Sequence, residues 1–305
     1  MSVKKIYDTI VNKEPITKGW SEDKKYCATT NDGTKYLLRI SHLSQYETKK
    51  TLFSLMEQIA ALDIPMCLPI EFGICDDGVY SIQSWIYGVD LESVLPLSAE
   101  TKLSDHEQYA LGLQAGKIAK KIHTIPVPQP QEEWSVRFNR RIDMTIKEYA
   151  LCGLKFAGDS HMLSYLEENR YLLKYRPQCY LVSDYNIMNM MYENGDLRII
   201  DFERFGIGDP WDEFNCIVWS ALASPHFATG QLHGYFNGEP PKEFFQLLVV
   251  YIIILLLSLI SSWAVTSEFG RNVTMKLSQD VLKWFDNIQN PVPTWYLREY
   301  SLLES

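Results

Sequence analysis

The chain has 305 residues, of which 46% are hydrophobic and 22% charged: enough apolar material for one large or two modest domains, and too much for a disordered chain. A formal net charge of −9 lacks the basic face that nucleic-acid binding needs, so no nucleic-acid partner is expected, and it leans toward cationic small molecules or metal-complexed ligands. The six cysteines include no C-x-x-C pair, which argues against a zinc site or a disulfide framework and for reduced thiols in a cytoplasmic protein.

The N-terminal "MSVKKIYDTIVNKEPITKGW" carries lysines but no apolar core of signal-peptide length. From Thr17 to Ile40, short strand-like runs alternate with turn residues at Gly19 and at Asn31-Asp32-Gly33, which predicts two or three antiparallel strands. Leu52, Leu55, Met56, Ile59 and Leu62 then form a helical stripe that stops before Pro65. "CLPIEFGICDDGVYSIQSWIYGVDLESVL" predicts two more strands around Asp76-Asp77-Gly78, ending at Gly88. The first 88 residues thus read as a small sheet with one helix, and a boundary falls near Gly88–Val89.

Residues 89–305 read as mostly helical. Tyr109, Leu113, Ile118 and Ile122 keep helical spacing until the proline-rich "PVPQPQ", and helical stretches recur through about 126–178. Late in the chain, Leu247 to Val265 runs 19 residues without a charge. That meets the length rule for a membrane span, but no Lys/Arg cluster flanks it, so a helix buried on all sides is expected instead.

The most informative stretch is "SDYNIMNMMYENGDLRIIDF", residues 183–202. Asn194-Gly195 is a strong type I′ hairpin signal, because both central positions need positive φ. Pairing Glu193 with Asp196 sets Asn189 beside Ile200 and so next to Asp201, with Asp184 on the loop before the first strand. Each residue alone reads as an ordinary turn or cap residue. Together they suit phosphoryl transfer: Asn189 and Asp201 offer hard oxygen ligands for Mg2+, and Asp184 can orient an attacking hydroxyl and accept its proton.

Asp184-x-x-x-x-Asn189 followed by "IIDFERFGIGDPWDEF" resembles the core of the aminoglycoside phosphotransferase and choline kinase family. The order of the chain is similar over roughly Ile16 to Trp295. The resemblance implies an α+β, bilobal, protein-kinase-like fold, with a nucleotide-binding lobe over 1–88 and a catalytic and acceptor-binding lobe over 89–305. It implies ATP or GTP with Mg2+ as cofactors and a small-molecule acceptor, an aminoglycoside-type antibiotic first, with a macrolide, choline or a sugar as alternatives.

By the same resemblance Asp184 is the catalytic base, and Asn189 and Asp201 are the metal ligands. Arg39 stands where such kinases carry a lysine on the α- and β-phosphates, with Glu47 or Glu57 as its partner. Gly19 and Ser21 match the phosphate-covering loop, and Ser84, Trp85 and Ile86 the adenine-binding strand end. Asp209 is expected to hold the catalytic region together, and Asp212 and Glu213 to cap the next helix. For the acceptor, Glu148, Glu167, Glu168, Asp212 and Glu213 suggest a polyamine, whereas Trp134, Tyr149, Trp219, Trp263 and Tyr296 suggest an apolar pocket. Two departures stand out: Arg39 for lysine, and Val182 where the family has the histidine of His-Gly-Asp. Together they raise a second reading, a nucleotide-binding pseudokinase.

Overall fold

The structure, a computed structural model, describes residues 5–19, 22–95 and 103–302. The chain divides into two compact units, 1–91 with 189–203, and 92–188 with 204–305. The first unit's N-terminal stretch thus ends at Leu91 rather than Gly88. The Asn-Gly hairpin, expected with the C-terminal part, is counted with the N-terminal unit.

In the first unit, β1 (Ile10–Ile16), β2 (Lys24–Thr30), β3 (Lys35–Ser41), β4 (Pro69–Cys75) and β5 (Gly78–Ser84) form an antiparallel sheet in the order β1-β2-β3-β5-β4. Strand β1 starts ahead of the expected region. Its mostly exposed side chains and Pro15 leave no apolar alternation to read, as suits an edge strand. Ala28, Leu38, Ile40, Tyr80 and Ile82 make the core of the sheet. Helix α1 (Tyr46–Ala60) lies against β4 and β5 and buries Leu55, Met56 and Ile59 from the expected stripe.

Strand β6 (Val89–Asp90), a one-turn helix α2 (Leu91–Val94), and the later strands β8 (Met190–Glu193) and β9 (Asp196–Ile199) complete the small strand set, ordered β6-β8-β9. The turn between β8 and β9 has φ of 54° at Asn194 and 95° at Gly195, the left-handed pair that a type I′ turn requires. Glu193 pairs with Asp196, as the sequence predicts, and the Ile200 amide donates to the Asn189 carbonyl at 3.0 Å.

The second unit is built on helices α3 (Asp105–Ile122), α4 (Trp134–Leu151), α5 (Asp159–Asn169), α6 (Ile217–Ala223), α7 (Pro225–Phe236), α8 (Lys242–Thr266) and α9 (Glu268–Trp284). A capping box starts α3: Ser104 Oγ accepts from the Glu107 amide, and the Glu107 carboxylate accepts from the Ser104 amide. Helices α3 and α7 pack at backbone contact through Gly112, Gly116, Gly230 and Gly234. A Cβ on Gly116 would lie 2.2 Å from the Gln231 carbonyl, and one on Gly230 2.3 Å from that of Tyr109.

Helix α8 contains the uncharged stretch and is long and apolar enough to cross a membrane, yet 72% of its most apolar window is buried within the protein. It packs against α4, α5 and α9, in keeping with the buried helix expected from the missing flanking charges. Two short strands, β7 (Cys179–Leu181) and β10 (Gly206–Gly208), pair antiparallel with Leu181 opposite Gly206.

Candidate active site

In the first unit, Arg39 sits on β3 with only 6% of its side chain exposed. Its guanidinium meets three carboxylates: Nε to Asp23 at 3.2 Å, Nη1 to Asp201 at 3.3 Å and Nη2 to Glu203 at 3.3 Å. Lys49, on α1, joins the same cluster, pairing with Asp23 at 2.8 Å and with Glu203. Ser41 Oγ donates to the second Asp23 oxygen at 2.6 Å.

Burial pushes the Asp23 carboxyl upward, but hydrogen bonds from Lys49 and Ser41 and the charge of Arg39 outweigh it and hold the group below the usual carboxylate range. Burial likewise disfavours charge on Arg39, and Glu203, Asp201 and Asp23 more than offset this. Asp23 and Arg39 each hold the other's charge in place.

The partner expected for Arg39 was a helix glutamate. Glu47 is exposed in the first turn of α1, and Glu57 is exposed as well. Helical geometry explains the difference, since Lys49 faces the cluster, Glu47 two positions away points about 200° around the axis, and Glu57 lies about 12 Å further along it. Asp23 supplies the carboxylate instead. The one signal in the sequence was Lys49 itself, three residues before Leu52 and so in line with the buried stripe of α1.

Asp201 follows β9 with φ of 61° and keeps 39% of its side chain exposed, while Asn189 stands at the entrance to β8 beside Ile200. Carboxylate and amide oxygens at neighbouring strand ends are the hard donors that Mg2+ takes, usually one or two from protein with phosphates and water completing the shell. Among the described residues, no group of three or more His, Cys, Asp or Glu forms a self-sufficient metal cage.

Gly19, between β1 and β2, has φ of 92°, and the neighbouring Lys18 carbonyl accepts from Lys25 Nζ. Ser21 lies outside the described residues. Ser84, at the end of β5, uses its amide and hydroxyl on Leu68 at 2.9 and 2.8 Å. The backbone of half-buried Trp85 and Ile86 makes no backbone hydrogen bond among the described residues.

In the second unit, Asp184 follows β7 and Ser183, whose φ is 65°. Asn186 Nδ2 donates to Asp184 Oδ1 at 2.8 Å, and Arg204 lies 3.6 Å from Oδ2. The loop is held from below. Glu213, 1% exposed, accepts the amides of Val182 at 2.7 Å and Ser183 at 2.8 Å, and His123 Nε2 stands 3.3 Å from the same carboxylate. Tyr185 Oη donates to the Ala115 carbonyl on α3, and Gln231 Nε2 on α7 to the Tyr185 carbonyl.

Glu213, expected as a helix cap and an acceptor-binding group, makes no side-chain cap; both of its oxygens are engaged with the loop. Asp209 is fully buried and is gripped by Arg176 at 2.5 and 2.9 Å, by Tyr251 at 2.6 Å and by the Trp211 amide at 2.9 Å.

Residues 13–245 match the family described as APH, phosphotransferase enzymes. The chain belongs to that family. Among solved structures, an amicoumacin kinase, hAmiN, in complex with AMP-PNP, Ca2+ and Ami shares 13% identity over 92% of this chain and 90% of that one, with a TM-score of 0.62. A thermostable mutant of aminoglycoside phosphotransferase APH(4)-Ia, in a ternary complex with AMP-PNP and hygromycin B, shares 16% over 90% and 94%, with a TM-score of 0.66. A choline/ethanolamine kinase family protein from Mesorhizobium loti shares 14% over 92% and 91%, with a TM-score of 0.61. No curated protein matches the sequence. The phosphotransferase fold, protein-kinase-like, is therefore the fold of this chain.

Against that family frame, the acidic set expected for a polyamine is scattered. Glu148 is exposed on α4, Glu213 is engaged by the loop, and Asp212 is buried, with Asn215 donating to it at 3.0 Å and the Arg141 guanidinium 3.7 Å away. Of the five aromatic residues expected in an apolar pocket, Trp134, Tyr149 and Tyr296 are all buried, and of these three Trp134 borders a cleft in the second unit.

Proposed function

We propose that the protein is an ATP- or GTP-dependent O-phosphotransferase that moves the γ-phosphoryl group to a hydroxyl of a small molecule. The observation that carries the reading is the Arg39–Asp201 pair at 3.3 Å with Asn189 one strand away: a buried permanent cation beside hard oxygen donors. Bound Mg2+, held by Asp201 and Asn189, would neutralise charge on the phosphates.

Arg39 then stands beside the phosphates as a cation locked by Asp23, in the place where the family carries a lysine. Backbone groups of Trp85 and Ile86 receive the base. Asp184 orients the acceptor hydroxyl and takes its proton as the oxygen bonds to the γ-phosphorus and the bond to the β-phosphate oxygen breaks, leaving the nucleoside diphosphate.

An aminoglycoside-type antibiotic is the first acceptor to test, since aminoglycosides are the ligands of several similar structures. The pseudokinase reading rests on Val182 and Arg39. Glu213 holds the loop that Val182 leaves without its histidine, and Asp184, Asn189 and Asp201 are all present, so transfer is favoured.

The test is phosphoryl transfer from ATP and GTP with magnesium across aminoglycosides, macrolides, choline and sugars, with Asp184→Ala alongside. Acceptor-dependent transfer that the variant lacks supports the reading. Nucleotide binding without transfer to any acceptor supports the pseudokinase.

A further inference from the structure

The second unit contains a cleft of about 330 Å3, at the small end of the ~300–1,000 Å3 usual for small-ligand sites. Trp134 and Phe138 contribute its apolar floor, Arg137, Arg141 and Asp212 its charged wall, and Ser183, the chain neighbour of Asp184, one edge.

The wall is electrically unbalanced. Arg137 Nη2 donates to Gln178 Oε1 at 2.8 Å and to the Ile207 carbonyl, both neutral, and no carboxylate pairs with it among the described residues. Its guanidinium lies over Trp134, 4.8 Å from the ring, where burial works against its charge. Arg141, with 47% of its side chain exposed, reaches Asp212 only at 3.7 Å and stacks over Phe138. Two arginines therefore line the cleft with a single carboxylate, Asp212, and the charge of Glu132, which also reaches Arg137, comes from outside the lining. A polyamine would bring more positive charge to this wall, where Glu213 is engaged by the loop and Glu148 is not among the lining residues.

We propose that this cleft recognises its acceptor through a carboxylate carried on a compact apolar body that also bears the reacting hydroxyl. The inference rests on the phosphotransferase reading only for the hydroxyl. Planar guanidinium groups match a carboxylate in two-point geometry, and supplying the missing counter-charge to a half-buried arginine makes the anion the favoured occupant. The apolar body would lie on the floor and direct its hydroxyl toward Ser183 and Asp184.

Three compounds of one shape separate the possibilities: 4-(hydroxymethyl)benzoate, 4-(hydroxymethyl)benzamide and 4-(hydroxymethyl)benzylamine, titrated calorimetrically into the full chain. The expected result is that the benzoate binds about tenfold or more tightly than the benzamide, with the benzylamine weakest. Arg141→Gln, at a side chain 47% exposed, should remove most of that preference, with its melting curve recorded because Asp212 loses a nearby cation, and Asp212→Asn should enhance it. Arg137→Gln is the second variant, with its melting curve recorded because Gln178 and Ile207 lose a donor.

A benzylamine that binds as well as the benzoate, a benzoate that does not bind, or a preference that survives both arginine variants would each overturn the proposal. The outcomes are separable from those of the activity reading. Carboxylate preference without ADP formation leaves the cleft assignment standing and removes the transferase. Transfer to aminoglycosides without carboxylate preference does the reverse.

Discussion

Glu213 accepts the amides of both Val182 and Ser183, at 2.7 and 2.8 Å, with one carboxylate oxygen on each. Removing it in Glu213→Ala leaves two donors beneath the loop unpaired, each costing about 1–3 kcal/mol. Turnover should fall by more than tenfold, the effect of a barrier change of about 1.4 kcal/mol or more, with little change in KM for nucleotide. Glu213→Gln, which keeps one acceptor oxygen, should be intermediate. Steady-state kinetics with denaturant melts check both.

The same support bears on Val182. Its side chain is 1% exposed, and the loop it begins is already anchored, so a histidine there gains no needed role and must find room in a packed site. Val182→His is expected to destabilise the fold by about 1–3 kcal/mol and not to raise turnover. Higher turnover at unchanged stability would show that the loop lacks a support that histidine supplies.

Asp23 is the positioning carboxylate for Arg39 and Lys49. Asp23→Asn leaves two buried cations short of one counter-charge and should cost about 3 kcal/mol. KM for ATP should rise while kcat changes less, and Asp23→Glu should recover part of the loss. If Arg39→Ala raises KM and Asp23→Asn does not, Asp23 has no part in positioning the arginine.

Asp212 gives a pH dependence with a definite sign. Burial pushes its carboxyl up to about 6, against which Arg141 and Asn215 act only in part. An unfolded aspartate titrates near ~3.9, so between these values the folded protein holds a proton that the unfolded chain has released. Stability contributed at this site falls as pH rises from about 4 to about 6, and above that the cost is complete, on the order of 3 kcal/mol. Asp212→Asn should therefore raise the melting temperature at pH 7.5 more than at pH 4.5, measured by differential scanning calorimetry.

The parts of this protein that read directly from sequence are those fixed by local chemistry. Asn194-Gly195 dictates its own turn and therefore the register that brings Asn189 beside Ile200. The α1 stripe is of the same kind. Long-range pairings were not legible. Nothing local distinguishes Asp23 from other strand-end aspartates, and its choice over Glu47 depends on how β2, β3 and α1 come together. Glu213 read as a helix cap or as one of several acidic residues for a polyamine; only the loop 31 positions earlier in the chain reveals what its carboxylate holds. For α8, length and apolarity are common to a membrane span and a core helix, and the distinction lies in what surrounds it.

The glycine crossing of α3 and α7 has a consequence for adaptability. Main chain touches main chain there, so the separation of the helices is set by peptide geometry and has no side chain through which to be adjusted. Tyr185 and Gln231 tie the loop that carries Asp184 to those two helices, and His123 follows directly on α3. The platform beneath the reacting residue is therefore inelastic. If the cleft receives the acceptor, exchanging Arg137 or Arg141 offers a way to alter acceptor choice without moving the floor on which Asp184 stands.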